Sequence, residues 1–328
     1  MIHLKIALDW TPNINHIGIF VAKELGFYSE NDIELEIINP IEDNYEVTPG
    51  KKLELGLADF VIAPFETVIS LNNKKNAVDA IAIFAILQED ISSIVSLKSK
   101  NIDSPKLLDG KIYASYKARY EDKIVQKLVK NAGGNGTITI VYPEKLGIWN
   151  TLLAGKADAT WIFDNWEGVE ADDKNIELNK WSLKEYGIPY GYSPVIITKK
   201  SRLATSKSNY FNFIKATQKG FLFAIEMQIN KAKMMFEKAF KKHNYEGSYN
   251  YCYCTKSSHF SFIVEETLRH NIHLETSFAY DIEIINQLFL KKKITKDTFI
   301  ICNGYKQKSY TSRIARLINT GFKNVIPI

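Results

Sequence analysis

The chain has 328 residues, 45% hydrophobic and 24% charged, which excludes a disordered chain, a collagen-like repeat and a coiled coil. At roughly 100–200 residues per domain, two domains or one domain in two lobes are expected. The formal charge is +5, too small for a nucleic-acid binder without a stripe of clustered arginines.

Residues 3–8 read as a strand rather than the apolar core of a signal peptide, so a native start at Met1 predicts a cytoplasmic protein and a removed signal peptide a periplasmic or extracellular one. After the turn-rich Asp9-Trp10-Thr11-Pro12-Asn13, Ile17, Phe20, Val21 and Leu25 recur at helical spacing. Gly26 stops that helix, and residues 33–37 alternate with period two, a second strand. Further strands are expected at 60–63, 80–87 and 94–97, with a helix after Pro64. Repeated βα units imply a mainly parallel sheet covered on both faces.

A second set follows Pro105: strands at 112–115, 137–141 and 159–163, and helices at 120–130, 146–153 and through Glu170. Residues 195–197 form another apolar strand. From Asn209 the pattern is helical, with later helices at 262–269 and 281–290. These readings predict an α/β protein of two lobes, the first discontinuous (1–92 and 193–328, with a helical C-terminal part) and the second continuous (93–192), joined by two crossings that form a hinge.

Residues 199–328 carry 22 Lys/Arg against 9 Asp/Glu, and residues 1–198 carry 20 against 28, an asymmetry that solvated lysines on helix faces explain. The three cysteines, Cys252, Cys254 and Cys302, exclude a disulfide framework. Cys252-x-Cys254 with His259 matches no standard zinc spacing, and a strand or loop rich in tyrosine (Tyr249, Tyr251, Tyr253) is the expected context, so no metal is assigned. No run of ~18 apolar residues offers a membrane span.

In open parallel sheets ligands sit beyond the carboxyl ends of strands, and there the sequence gathers aromatics and carboxylates. Candidate binding residues are Trp10, His16, Phe65, Glu66, Glu89, Ser115, Tyr116, Arg119, Trp161, Asp164, Trp166, Tyr190 and Tyr192. Aromatics stack on planar rings, and a carboxylate beside them accepts from an amino group or a protonated ring nitrogen, an inventory suited to a flat, nitrogen-rich heterocycle. Each has an ordinary structural alternative. His16 caps or orients its loop, Glu66 answers a helix dipole, Trp149 belongs to the core, and Arg119 pairs with Glu121 or Asp122. No Walker pattern, nucleophile elbow or zinc-protease motif is present, and no catalytic residue is assigned.

Residues 7–18 (ALDWTPNINHIG), 87–90 (LQED), 113–122 (YASYKARYED), 143–152 (PEKLGIWNTL), 157–163 (ADATWIF) and 186–194 (YGIPYGYSP) resemble the thiamine-pyrimidine synthase and pyrimidine-precursor-binding family over roughly residues 3–200. The resemblance implies a fold like the type II periplasmic binding proteins, and either a transporter-associated binder of aminopyrimidines of the hydroxymethylpyrimidine or formylaminopyrimidine class, with an ABC permease as partner if exported, or a synthase using pyridoxal phosphate, iron and its own histidine. The synthase's lysine and histidine would follow the strand at 59–63, where Ala63-Pro64-Phe65-Glu66-Thr67 stands. Its cysteine-rich run would precede Val195, where Ile188-Pro189-Tyr190-Gly191-Tyr192 stands. The expectation is therefore a non-catalytic receptor without cofactor, with Trp10 stacking on the ring, aided by Trp161 or Tyr190, and Glu66 first and Asp164 second facing its amino edge.

Overall fold

The computed structural model describes residues 1–247, 250–255 and 261–328. In chain order the elements are β1 (Ile2–Ala7), α1 (Ile17–Glu24), β2 (Ile33–Ile38), α2 (Pro49–Leu55), β3 (Phe60–Ala63), α3 (Glu66–Asn72), β4 (Ala80–Ala85), β5 (Ser92–Leu97), β6 (Ile112–Ala114), α4 (Glu121–Asn131), β7 (Thr139–Val141), α5 (Ile148–Leu153), β8 (Ala159–Phe163), α6 (Glu167–Asp173), β9 (Leu178–Trp181) and β10 (Val195–Lys199). There follow α7 (Lys200–Thr205), α8 (Lys207–Lys242), β11 (Cys252–Cys254), α9 (Ser261–Arg269), β12 (His273–Thr276), α10 (Ala279–Leu290), β13 (Ile300–Cys302), α11 (Lys308–Asn319) and β14 (Val325–Pro327). The chain divides into two compact units, Met1–Thr217 and Gln218–Ile328.

The first unit holds two five-stranded sheets, ordered β2-β1-β3-β10-β4 and β7-β6-β8-β5-β9. In the first sheet β1, β2 and β3 are parallel, while β10 runs antiparallel to both β3 and β4. In the second, β6 is parallel to β7 and β8, while β5 is antiparallel to β8 and β9. All four residues of β3 are buried, as expected of a strand covered on both faces. On one side Ala7, Val61, Ala63, Val195 and Ile197 pack with Leu53 and Leu71. The second sheet has its own core of Ile94, Tyr113, Val125, Leu128 and Trp181. Trp149 is buried among Val95, Leu152 and Ile162, the core reading of that residue.

The chain leaves the first sheet after β4 and returns before β10. At the crossing the two segments run antiparallel: the Tyr192 N–H donates to Gln88 O at 3.0 Å, those of Ile86 and Leu87 donate to Pro194 O, and Glu89 bridges Gly191. This is the two-strand hinge expected between the lobes.

The second unit carries a parallel four-stranded sheet, β11-β12-β13-β14, in sequence order. Val264, Ile285, Leu288, Tyr310, Ile314 and Leu317 of α9, α10 and α11 pack on Leu274, Ile300 and Cys302 of that sheet. The expected helical C-terminal part is thus helix and strand in alternation. Its strands are three or four residues long, too short for a period-two pattern to stand out beside helices of nine and twelve residues.

Candidate ligand cavity between the lobes

β1 ends at Ala7, and the chain turns there so that Asp9 and Trp10 face the cleft. The Asn13 side chain caps the next short turn, and its N–H donates to His16 Nδ1 at 3.2 Å. That leaves the proton on Nε2, which donates to Asp9 Oδ1 at 2.7 Å. His16 is fully buried and does not line the cavity; it fixes the Asp9 carboxylate. The ring of Trp10 lies 5.4 Å from Tyr116, edge-on at 82°, and 5.7 Å from Tyr45.

A cavity of about 140 Å³ is lined by Asp9, Trp10, Tyr45 and Tyr116 with Glu66, Glu121, Trp161, Phe163, Glu167 and Tyr190. Glu66 opens α3 after Pro64. Burial, with the Glu121 charge adding to it, pushes its carboxyl up to about 7, and its Oε2 is shielded from water without a hydrogen-bond donor. Glu121 opens α4 and accepts from the Tyr113 hydroxyl at 2.8 Å and from the N–H groups of Tyr116 and Ala118. Burial raises its pKa, and those donors oppose the rise. Glu167 opens α6, accepts from the Phe163 N–H at 3.0 Å, and burial pushes it up to about 7. In β8, the Trp161 indole N–H donates to Ser92 Oγ at 2.6 Å, and its ring lies 5.3 Å from Tyr190.

Of the candidates from the sequence, Trp10, Glu66, Tyr116, Trp161 and Tyr190 thus meet at one cavity. Arg119 lines an adjoining groove of about 560 Å³ that shares Asp9, Tyr45, Glu66 and Tyr116 with the cavity. Its Nη1 donates to Ser70 O at 2.7 Å across the cleft, rather than pairing with Glu121 or Asp122. The others have different settings. Ser115 donates to Asp122. Asp164 accepts from Ser93 Oγ at 2.7 Å and pairs with Lys180 at 3.3 Å, so the second-choice carboxylate is already engaged. Glu89 pairs with Lys184 at 3.7 Å. Phe65 and Tyr192 face each other at 6.3 Å, both exposed, and Trp166 is exposed at the start of α6.

Asp9, Tyr45, Phe163, Ser193 and above all Glu121 and Glu167 were missing from the sequence-derived set. Both glutamates are the first residue of a helix that follows a strand end, the same signal that singled out Glu66. Among the described residues no group of three His, Cys, Asp or Glu side chains is placed to hold a metal ion; Tyr249 and His259 lie outside the described residues. No described helix is long and apolar enough to cross a membrane.

Two five-stranded sheets of this order, with a hinge of two crossings and an aromatic cavity between them, define the periplasmic-binding-protein fold. The fold is similar to that of the alkanesulfonate-binding protein SsuA from Xanthomonas axonopodis pv. citri, with a TM-score of 0.56 at 13% identity over 72% of this chain and 79% of that one. The chain belongs to the NMT1/THI5-like family, whose model matches residues 13–229. It is 21% identical to a formylaminopyrimidine-binding protein of Halalkalibacterium halodurans over 68% of this chain and 66% of the relative. It is 29% identical to a 4-amino-5-hydroxymethyl-2-methylpyrimidine phosphate synthase of Legionella pneumophila over 52% of each. The chain spans less than two-thirds of the length of these curated relatives.

Proposed function

We propose that this protein binds a thiamine-type aminopyrimidine, of the hydroxymethylpyrimidine or formylaminopyrimidine class, between its two lobes, in thiamine precursor biosynthesis or salvage. The observation that carries this reading is Glu66 Oε2, an acceptor without a donor in an aromatic cavity of about 140 Å³. Buried apolar cavities of about 150 Å³ take up benzene, so the space suits one six-membered ring. Trp10, Tyr116, Trp161 and Tyr190 supply ring contacts, and Glu66 accepts from the exocyclic amino group or a protonated ring nitrogen. The name of the Halalkalibacterium relative agrees with this chemistry. If the protein is exported, the same reading makes it the periplasmic or extracellular receptor of an ABC permease.

The name of the Legionella relative favours a second reading, a synthase. A pyridoxal phosphate cofactor would need a lysine for its aldehyde, and the residues around this cavity include none among those described. They do not fit that group. Mass spectrometry of natively purified protein, with calorimetric titration of 4-amino-5-hydroxymethyl-2-methylpyrimidine, tests the receptor reading: a bound or saturably binding pyrimidine supports it, and no binding overturns it. Lysine aldimine absorbance and a pyrimidine product after incubation with pyridoxal phosphate would favour the synthase.

A further inference from the structure

The cavity has a one-sided charge inventory. Carboxylates reach it from Asp9 after β1, Glu66 on α3, Glu121 on α4 and Glu167 on α6, whereas no lysine, arginine or histidine lines it among the described residues. Three of the four are supplied with donors from within the protein: Asp9 by His16, Glu121 by a phenol and two backbone N–H groups, Glu167 by the Phe163 N–H. Glu66 Oε2 alone of these carboxylates has a water-shielded oxygen without a partner. The remaining walls are largely aromatic, and ring faces attract cations through their quadrupole.

The groups acting on Glu66 have the same sign. Glu121 is the charge that bears on its carboxyl, and Tyr190, whose phenol burial holds neutral, lies within its field. The phenols of Tyr45 and Tyr116 are likewise held neutral by burial. The nearest candidates for a counter-charge line the adjoining groove, and they are engaged elsewhere. Lys51 and Lys74 pair with Glu54, Arg119 bonds Ser70, and Lys117 Nζ lies 5.4 Å from the centre of the Tyr142 ring. Lys145 Nζ lies 4.7 Å from the centre of the Tyr45 ring.

We infer that the cavity selects its ligand as an organic monocation, an aminopyrimidine protonated on a ring nitrogen, with Glu66 as its counter-ion. The inference rests on the pyrimidine reading and adds the protonation state in which that ring is held. A 4-aminopyrimidine has a weakly basic ring nitrogen. Protonated on the ring nitrogen para to the amino group, it is a delocalised cation whose ring N–H donates to a carboxylate, a charge-assisted bond stronger than its neutral counterpart, and 4-aminopyridinium presents the same donor. The proton comes from the Glu66 carboxyl when that group is neutral, the complex then gaining none, or from solvent when Glu66 is already ionised. In either case the bound pair is pyrimidinium and carboxylate.

Calorimetric titration of the whole chain between about pH 5.5 and about 8.5 tests this, with two probes: 4-amino-5-hydroxymethyl-2-methylpyrimidine, which loses its proton within that range, and 4-aminopyridine, a cation throughout it. The expected result is an affinity for the pyrimidine that falls about tenfold per pH unit once the pH is above both its own pKa and that of Glu66, while that of 4-aminopyridinium does not fall. Glu66→Gln, with a melting curve unchanged from the parent, is expected to weaken 4-aminopyridinium at least about tenfold. If that variant does not fold, the two pH profiles of the parent protein decide. A pyrimidine affinity that does not fall between about pH 7.5 and about 8.5 overturns the cation inference and leaves the pyrimidine reading intact. Binding of 4-aminopyridinium without binding of the pyrimidine overturns the pyrimidine reading and leaves the cation site standing. Binding of neither probe overturns both.

Discussion

A carboxylate oxygen cut off from water and from internal donors is costly until something donates to it, and Glu66 Oε2 is in that position; Asp164 Oδ1 also lacks a hydrogen bond, but it lies 3.3 Å from the Lys180 ammonium, and Oδ2 accepts from Ser93. Glu66→Gln is therefore expected to cost about 1.5–3 kcal/mol of pyrimidine binding, a ten- to hundredfold loss by titration, and Asp164→Asn to leave the affinity within about twofold. Equal losses in both variants would remove Glu66 from its special place. Glu167 illustrates a different consequence of burial. Its side chain is 4% exposed, and its carboxyl is pushed from 4.5 up to about 7, so the folded state holds a proton that the unfolded chain releases. The associated stability is complete below about pH 4.5 and is lost as the pH rises through about 7, by roughly 3 kcal/mol. Melting temperatures measured across that window should fall with pH, and Glu167→Gln should flatten the slope. The sequence could show that Glu66, Glu121 and Glu167 each begin a helix after a strand. It could not show which would be stripped of water, because that depends on rings from both lobes closing over them.

At the scale of elements, the lobes meet through side chains carried on turns rather than on strands or long helices. Asn165, between β8 and α6, donates to Asn15 Oδ1 at 2.7 Å; Asn44 donates to Glu144 at 2.6 Å; Lys145 Nζ approaches Tyr45 O at 3.4 Å; and Arg119 reaches Ser70. Each bond contributes on the order of 0.5–1.5 kcal/mol and exists only while the lobes are together, so its loss should favour opening. Asn165→Ala is expected to speed pyrimidine release by about two- to tenfold, measured by stopped-flow displacement, without lowering the melting temperature of the unliganded protein by more than a few degrees. An unchanged release rate would mean that this contact plays no part in holding the lobes closed. Such contacts escape a reading of hydrophobic period, which located β1, β3, α4 and β8 because their burial repeats along the chain, and missed β9 as it missed β12, β13 and β14 of the second unit. Pairing partners 100 and 150 residues apart, as in Asn44 with Glu144 and Asn15 with Asn165, leave no local pattern.

For the molecule as a whole, the order of strands in the first lobe bears on how the chain is made. β10 sits between β3 and β4 and bonds to both, yet it lies beyond the entire second lobe in sequence. Until Val195–Lys199 has emerged, β3 and β4 have no strand between them, and the apolar side chains of Val61, Ala63 and Ala80 lack Val195 and Ile197, on which they pack. The second sheet has no such gap, since all five of its strands fall between Ser92 and Trp181. Long-range pairing is slow because loop closure must precede the contacts that reward it, and domains tend to fold as units during synthesis. Pulsed hydrogen exchange during refolding should therefore protect the amides of β5, β6 and β8 before those of β3, β4 and β10, and simultaneous protection of both sets would contradict this order. On the ribosome, the lobe inserted in the middle of the sequence is complete first, and the lobe that begins the chain waits for its last strand with an unsealed seam, the interval in which a chaperone has most to cover.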